Sequence, residues 1–289
     1  MLSPLSFRML QVGSCRHPEC MALRGGSLRP VVFPALCALI RHPTLGNWLF
    51  DTGYGSHFQA ATDPFPERFY RWVTPNALPE NERLVVQLAA LGLRPQDIDG
   101  VIISHFHADH IGALRDFPNA TLVASHAGYA HVRGLSRVRG LSQGFLPALL
   151  PADFDGRSRF LEGLPVVALP SELQPFGHGY DILGDGSLVA VPLHGHAHEQ
   201  FGLLLRREDG RTVFLSADAC WSIKALRESR PPAWLAQRIF ADRAGYRRTF
   251  EKLQTLSRQH PGVLLVPSHC QETARALVKP TSGVAHDGA

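Results

Sequence analysis

His105-Phe106-His107-Ala108-Asp109-His110 is the stretch on which the reading of this chain turns. It follows Val101-Ile102-Ile103 and Ser104. That apolar run is too short for a helix and rich in β-branched residues, so it predicts a buried strand. The cluster then sits where a strand ends and a loop begins. Three imidazoles and a carboxylate within so short a span form a dense set of metal ligands, and neutral imidazole suits zinc. His105 and His107, two apart in extended chain, project to one side and can grip one ion. Asp109 and His110 lie past the bend and can reach a second.

The same pattern recurs along the chain. Ser187-Leu188-Val189-Ala190-Val191 predicts a strand, with His194-Gly195-His196-Ala197-His198 just after it. Thr212-Val213-Phe214-Leu215 leads to Ser216-Ala217-Asp218, and Val263-Leu264-Leu265-Val266 to Pro267-Ser268-His269. Asn47-Trp48-Leu49-Phe50 leads to Asp51-Thr52-Gly53. Each apolar run delivers His or Asp near its C-terminal end. Open sheets covered by helices commonly bind ligands outside the carboxyl ends of their strands, so these residues are expected to meet along one sheet edge.

The order HxHxDH, Gly-His, Asp, His, preceded by an Asp-Thr-Gly strand end, resembles the metallo-β-lactamase fold superfamily from about residue 30 to about residue 272. The resemblance implies an α/β (α+β) fold, a four-layer αββα sandwich, organised as one domain over residues 1–289. It implies that His105, His107 and His196 hold one metal ion and that Asp109, His110 and His269 hold the other. Asp218 would bridge the pair, and Asp51 would orient the ligand loop from behind, as carboxylates behind metal-bound histidines do. The cofactors implied are two zinc ions, with iron or manganese open, since imidazole and carboxylate suit these too. Two such ions roughly 3.5 Å apart would share a water whose pKa is lowered enough to give hydroxide near neutral pH.

Gly13-Ser14-Cys15, a Gly-rich stretch, and Pro34-Ala35-Leu36-Cys37-Ala38-Leu39-Ile40 leading to Asp51-Thr52-Gly53 are similar to the start of the N-acyl-homoserine lactonase branch. Two departures stand out. Those lactonases carry a tyrosine three positions after the bridging aspartate, where this chain has Trp221. Their Pro-Gly-His-x-Pro-Gly segment is here His194-Gly195-His196-Ala197-His198-Glu199. The proton donor to a leaving alkoxide would then be Asp109, His194 or His198, histidine titrating near neutrality.

Composition agrees with an ordinary soluble enzyme. The chain has 289 residues, 45% of them hydrophobic, enough for a sizeable core. No apolar run approaches the roughly 20 residues of a membrane helix, and the N-terminus has no signal-peptide pattern. Cys15, Cys20, Cys37, Cys220 and Cys270 are an odd, scattered set, which argues for a reducing, cytoplasmic setting. The net charge of +4 is mild. The basic clusters Arg133, Arg137, Arg139 and Arg243, Arg247, Arg248, Lys252 read as solvated faces rather than a nucleic-acid surface, because aromatic interleaving is sparse.

Glu82 to Leu91 and Tyr246 to Gln259 have helical spacing of apolar residues. Residues 54–79 and 133–180, rich in Pro, Gly and aromatics, read as irregular pocket walls. Their aromatics (Phe58, Phe65, Phe69, Tyr70, Trp72, Phe145, Phe154, Phe176) suit an apolar acyl chain and would equally suit a homodimer interface. Lesser motifs weigh less. Asp51-Thr52-Gly53 has no second copy to make an aspartic-protease pair. Cys15-x-His17-x-x-Cys20 is a short cluster, read as incidental, and Cys220 and Cys270 read as small buried residues.

The function expected is a dinuclear metal-dependent hydrolase of a small-molecule ester or lactone, with an acyl-homoserine-type lactone first. A thioester hydrolase of the glyoxalase II kind, gripping its substrate with basic residues, is the alternative. A ligand-binding module without turnover comes last.

Overall fold

The computed structural model describes residues 4–279. Its strands, in chain order, are β1 Pro4–Pro18, β2 Pro30–His42, β3 Gly46–Phe50, β4 Asn76–Ala77, β5 Gly100–Ile102, β6 Thr121–Ala124, β7 Ser158–Phe160, β8 Val166–Ala168, β9 His178–Asp181, β10 Leu188–Pro192, β11 Phe201–Arg207, β12 Thr212–Ala217 and β13 Leu264–Pro267. They form two sheets. One runs β7-β6-β5-β3-β2-β1 with β4 beside β1, and the other runs β8-β9-β10-β11-β12-β13. The start of β1 also pairs parallel with the end of β11, Leu5 opposite Arg207, which joins the sheets along one edge.

Period-two alternation sorts the side chains into layers. Trp48 and Phe50, Ile102, Leu203 and Leu205, Val213 and Leu215 face inward and form one core between the sheets. Their neighbours point outward. Leu49, Val101 and Leu122 pack against Phe58, Leu84, Leu88 and Ile111 on one side. Leu204, Phe214 and Leu265 pack against Tyr246, Phe250, Leu253 and Leu256 on the other. The result is the expected αββα sandwich, with three apolar layers separating four layers of secondary structure.

The helix Arg243–Gln259 shows how local sequence serves this plan. Tyr246, Phe250, Leu253 and Leu256 recur at helical spacing and are buried. Burying each such side chain stabilises the fold by roughly 1.5–3 kcal/mol. The Asp242 carboxylate accepts from the Ala244 amide at 2.9 Å and caps the N-terminus. The other expected helix is shorter than its apolar pattern, Leu84–Ala89, with a 3-10 turn at Glu80–Glu82 taking the start.

Residues 54–79 and 133–180 are less irregular than their composition predicts. They contain the helices His57–Ala61, Arg68–Val73, Arg137–Ser142 and Phe154–Arg157, as well as β7, β8 and β9. Phe58, Phe145, Phe154 and Phe176 are buried core residues, and none of them lines the metal cavity. Short amphipathic turns and buried core aromatics give the same composition as a loop.

Candidate metal centre

The strand ends converge as expected. β3 is followed by Asp51, β5 by Ser104 and His105, β12 by Asp218 and β13 by Ser268 and His269, all on one edge. Backbone bonds tie these loops across the two sheets. Leu36 donates to the Ser268 carbonyl at 3.0 Å and Phe201 to the Ser104 carbonyl at 3.2 Å. The chain bends sharply just before the chemistry. Asp51 and Ala217 both adopt left-handed backbone, φ 58° and 47°, a conformation non-glycine residues hold only when their surroundings enforce it.

Two donor groups lie side by side. His105, His107, His196 and Asp218 form one, and Asp109, His110 and His269 the other, with ligand atoms in each within 4.8 Å of one another. Asp218 faces both. Its Oδ2 lies 3.2 Å from His196 Nε2 and 3.2 Å from His269 Nε2, and its Oδ1 lies 3.3 Å from His110 Nε2. Asp109 Oδ2 is 3.4 Å from His269 Nε2.

The outer nitrogens are held by the scaffold. His110 Nδ1 donates to Asp51 Oδ2 at 2.8 Å, and His269 Nδ1 donates to the Pro34 carbonyl at 2.8 Å. Ser104 donates to Asp51 through its amide and its hydroxyl, each at 2.8 Å, and its hydroxyl lies 3.0 Å from His105 Nδ1. Each bond leaves the other ring nitrogen free to point at the centre, as metal-ligating histidines require. His107 Nδ1 and His196 Nε2 face each other at 3.0 Å. His105 Nε2, His110 Nε2 and Asp218 Oδ1 are buried with no hydrogen-bond partner among the described residues. Buried polar atoms in folded proteins usually find a partner. A cation accepting these lone pairs resolves both features, and the N/O donor chemistry fits zinc or a similar divalent ion.

The electrostatics split along the same line. Burial pushes His105 and His196 well below the ordinary imidazole range and His107 down to about 4. Burial works the same way on His110 and His269, but the carboxylates of Asp218 and Asp109, joined by Asp51 at His110, outweigh it and raise both. Asp218 is held well below its usual value despite burial, by His269, His110 and His196.

The centre lines the floor of a cavity of about 490 Å³, within the usual range for ligand pockets. Its walls include Met21, Phe33, Phe69, Val73, Leu141 and Ile239, and its described lining contains no lysine or arginine. Both suspected segments contribute, through Phe69, Tyr70, Val73 and Thr74, and through Leu141, Ser142, Gln143 and Gly144. The basic clusters are largely engaged elsewhere. Arg137 pairs with Glu67 at 2.6 Å, Arg133 with Asp155 at 3.0 Å and Arg248 with Asp242 at 3.5 Å.

The structure does not bring His194 or His198 to the metal cavity. His194 is exposed and its Nδ1 lies 3.7 Å from Glu199. His198 is exposed and stacks on His131, centroids 3.5 Å apart, at a neighbouring cavity behind His107 and His196. A reversal of direction at Gly195, φ 129°, explains this, since it aims His196 inward and its neighbours outward. Sequence reasoning missed the Pro34 carbonyl, which carries no local signal, and the contact of Trp221, whose indole Nε1 donates to Asp218 Oδ2 at 2.9 Å. Cys220 and Cys270 are buried, and burial raises the Cys220 thiol.

Residues 30–259 match the sequence model of the metallo-beta-lactamase superfamily. The chain belongs to that superfamily. Within it, the chain is 28% identical over 274 residues to the N-acyl homoserine lactonase AttM of Azorhizobium caulinodans, covering 93% of this chain and 94% of that protein. It is 29% identical over 181 residues to a probable metallo-hydrolase of Mycobacterium tuberculosis, covering 60% and 54% respectively. Among solved structures it resembles an N-acyl homoserine lactone hydrolase with its product N-hexanoyl-L-homoserine at the catalytic metal centre (TM-score 0.71, 18% identity, 96% of this chain and 97% of that one). It also resembles AidC, a dizinc quorum-quenching lactonase (TM-score 0.64, 16% identity, 94% and 89%). These structural likenesses carry the metallo-beta-lactamase fold.

Proposed function

We propose that this member of the superfamily is a metal-dependent lactonase that opens N-acyl homoserine lactones, a quorum-quenching activity. One observation carries the reading. Two adjoining donor groups share Asp218 at the floor of an apolar cavity whose described lining holds no lysine or arginine. Such walls suit a neutral ester with an acyl tail. They offer no grip for the anionic carrier of a glyoxalase II-type thioester. The similarity to AttM over nearly the whole of both chains supports the same substrate class.

In this reading His105, His107 and His196 hold one ion, and Asp109, His110 and His269 the other, with Asp218 between. We take the ions to be zinc. Bound there, they would supply a hydroxide nucleophile near neutral pH and polarise the substrate carbonyl. The chain itself does the rest. Asp51 holds Ser104 and His110 so that the ligand rings stay aimed. The apolar walls exclude water from around the ester, which strengthens every charge interaction at the floor. We take the chain as one domain because its three cores share the same two sheets. Its five cysteines are free, which supports a reducing, cytoplasmic setting. No described helix is long and apolar enough to cross a membrane.

The test is proton release by the zinc-loaded protein on a panel of acyl-homoserine lactones and simple lactones, with Asp218→Ala as the blank. Turnover that vanishes in the variant supports the reading. Hydrolysis of thioesters alone would overturn it.

A further inference from the structure

A second cavity, of about 380 Å³, lies behind His107 and His196. It shares those two rings, Ser142, Gln143 and Ile239 with the metal cavity, so the two spaces adjoin. Their described linings differ in charge. The metal cavity holds Asp109 and Asp218 and no lysine or arginine. The second cavity holds Arg238 and no carboxylate.

The polar groups of the second cavity are fixed and unengaged. Arg238 stands on the 3-10 turn Ala236–Ile239. The Gln237 side-chain amide donates to the Pro232 carbonyl at 2.8 Å, and Arg243 Nε donates to the Gln237 carbonyl at 3.0 Å, which braces that turn. Phe240, just after it, packs edge-on against His196 with centroids 5.1 Å apart, and Ala241 donates to the His196 carbonyl at 3.1 Å. The turn that carries Arg238 is therefore tied to the ligand loop. On the other wall, Gln143 Oε1 accepts from His131 Nε2 at 2.8 Å, which leaves the Nε2 protons of Gln143 to point elsewhere. His198 stacks on His131 with centroids 3.5 Å apart, which holds its ring in place. Among the described residues the Arg238 guanidinium has no ion-pair partner. Neither Gln143 Nε2 nor the His198 ring has a hydrogen-bond partner there. Phe106, Phe145 and Phe240 complete the wall, and a charge beside them is screened less than on an open surface.

Donors without a matching acceptor, one of them a permanent cation, make a site for an anion. A guanidinium grips a carboxylate through two parallel bonds, and such charge-assisted bonds are about twice as strong as neutral ones. One cation suits one carboxylate, not a carrier bearing several charges. Ester hydrolysis makes that ligand. Water adds to the carbonyl carbon, the alcohol leaves with a proton, and the acid is ionised near neutral pH. Building on the hydrolase reading, we propose that the second cavity is a carboxylate site, which receives the acid product as it leaves the metal floor.

The experiment follows the ring resonances of His131 and His198 by NMR in the zinc-loaded protein. Both rings line the second cavity and neither is assigned to a metal. The titrants are 4-hydroxybutyrate, the acid of a simple lactone, and inorganic phosphate. In wild type, 4-hydroxybutyrate should shift both rings to saturation, at a lower concentration than phosphate does. Arg238→Gln should weaken that binding by about tenfold or more, the loss expected for hydrogen bonds to a charged partner. Arg238→Lys keeps the charge and should recover part of it. Zinc content and Tm should match wild type in both variants. The absence of a saturable shift would overturn the proposal, as would equal affinity in wild type and Arg238→Gln. Tighter binding of phosphate would assign the site to a free inorganic anion and overturn its assignment to the product. The titration needs no turnover. If it succeeds and no lactone is cleaved, the lactone reading alone fails. If lactones are cleaved and the rings do not respond, the carboxylate site alone fails.

Discussion

The indole Nε1 of Trp221 donates to Asp218 Oδ2 at 2.9 Å, the same oxygen that faces His196 and His269 at 3.2 Å. The residue standing where the lactonases carry a tyrosine therefore steers the shared carboxylate, with its ring edge-on to His196 at 5.6 Å. Trp221→Phe keeps the apolar ring and removes the donor. Zinc affinity should fall about 10–100-fold, as for other partners that orient a ligand. Competition with a chromogenic chelator measures it. Unchanged affinity would mean that Asp218 is aimed by the histidines alone.

Asp51 accepts three bonds in a fully buried position, two from Ser104 and one from His110. Asp51→Ala strands all three donors. Each unsatisfied buried group costs about 1–3 kcal/mol, so the loss should exceed about 3 kcal/mol in urea unfolding of the metal-free protein. Metal content should fall as well, because the His110 ring loses its anchor.

Gly195 adopts φ 129°, and a Cβ there would run into the Tyr246 backbone. Around it, Asp242 donates to the Gly195 carbonyl at 3.0 Å and Ala241 to the His196 carbonyl at 3.1 Å, so the ligand loop is stitched to the start of the helix Arg243–Gln259. Gly195→Ala should destabilise by more than about 1 kcal/mol through backbone strain alone and misplace His196. A lower Tm with reduced zinc binding is the expected pair of readings. A lower Tm with full zinc affinity would separate the loop from the site.

His110 and His269 are raised above the ordinary value of 6.5 by the carboxylates beside them. Protons there must leave before a cation binds. Zinc uptake should therefore release protons, and affinity should weaken as pH falls through the raised values of these two rings. Calorimetry in two buffers of different ionisation enthalpy measures this. The metal-free fold shows the opposite sign for these groups. Their contribution is full below 6.5 and is lost as pH rises through the raised folded value. Heat of binding that does not depend on the buffer would exclude the linkage.

Much of this was legible in the sequence because it is local. The run before His105 and the runs before Asp51, Asp218 and His269 are strands, since alternating or continuous apolar residues bury best on a pleated sheet. Spacing within His105–His110 reflects one bend, so the ligand types could be read in place. The superfamily pattern supplied their division into two groups, which the convergence around Asp218 matches. The segments around Tyr70 and Gly144 were recognisable as walls from composition, though not as the short helices they contain. The fate of His194 and His198 was not legible. Both neighbour His196 in sequence, and only the backbone reversal at Gly195 turns one imidazole in and the others out. Nor could local pattern show that the Pro34 carbonyl holds His269 or that the Trp221 indole is committed to Asp218. The first joins residues 235 positions apart, and the second depends on how the turn after β12 packs. Sequence determined which elements form and which chemistry they carry. The packing of one sheet on the other decided which lone pairs meet.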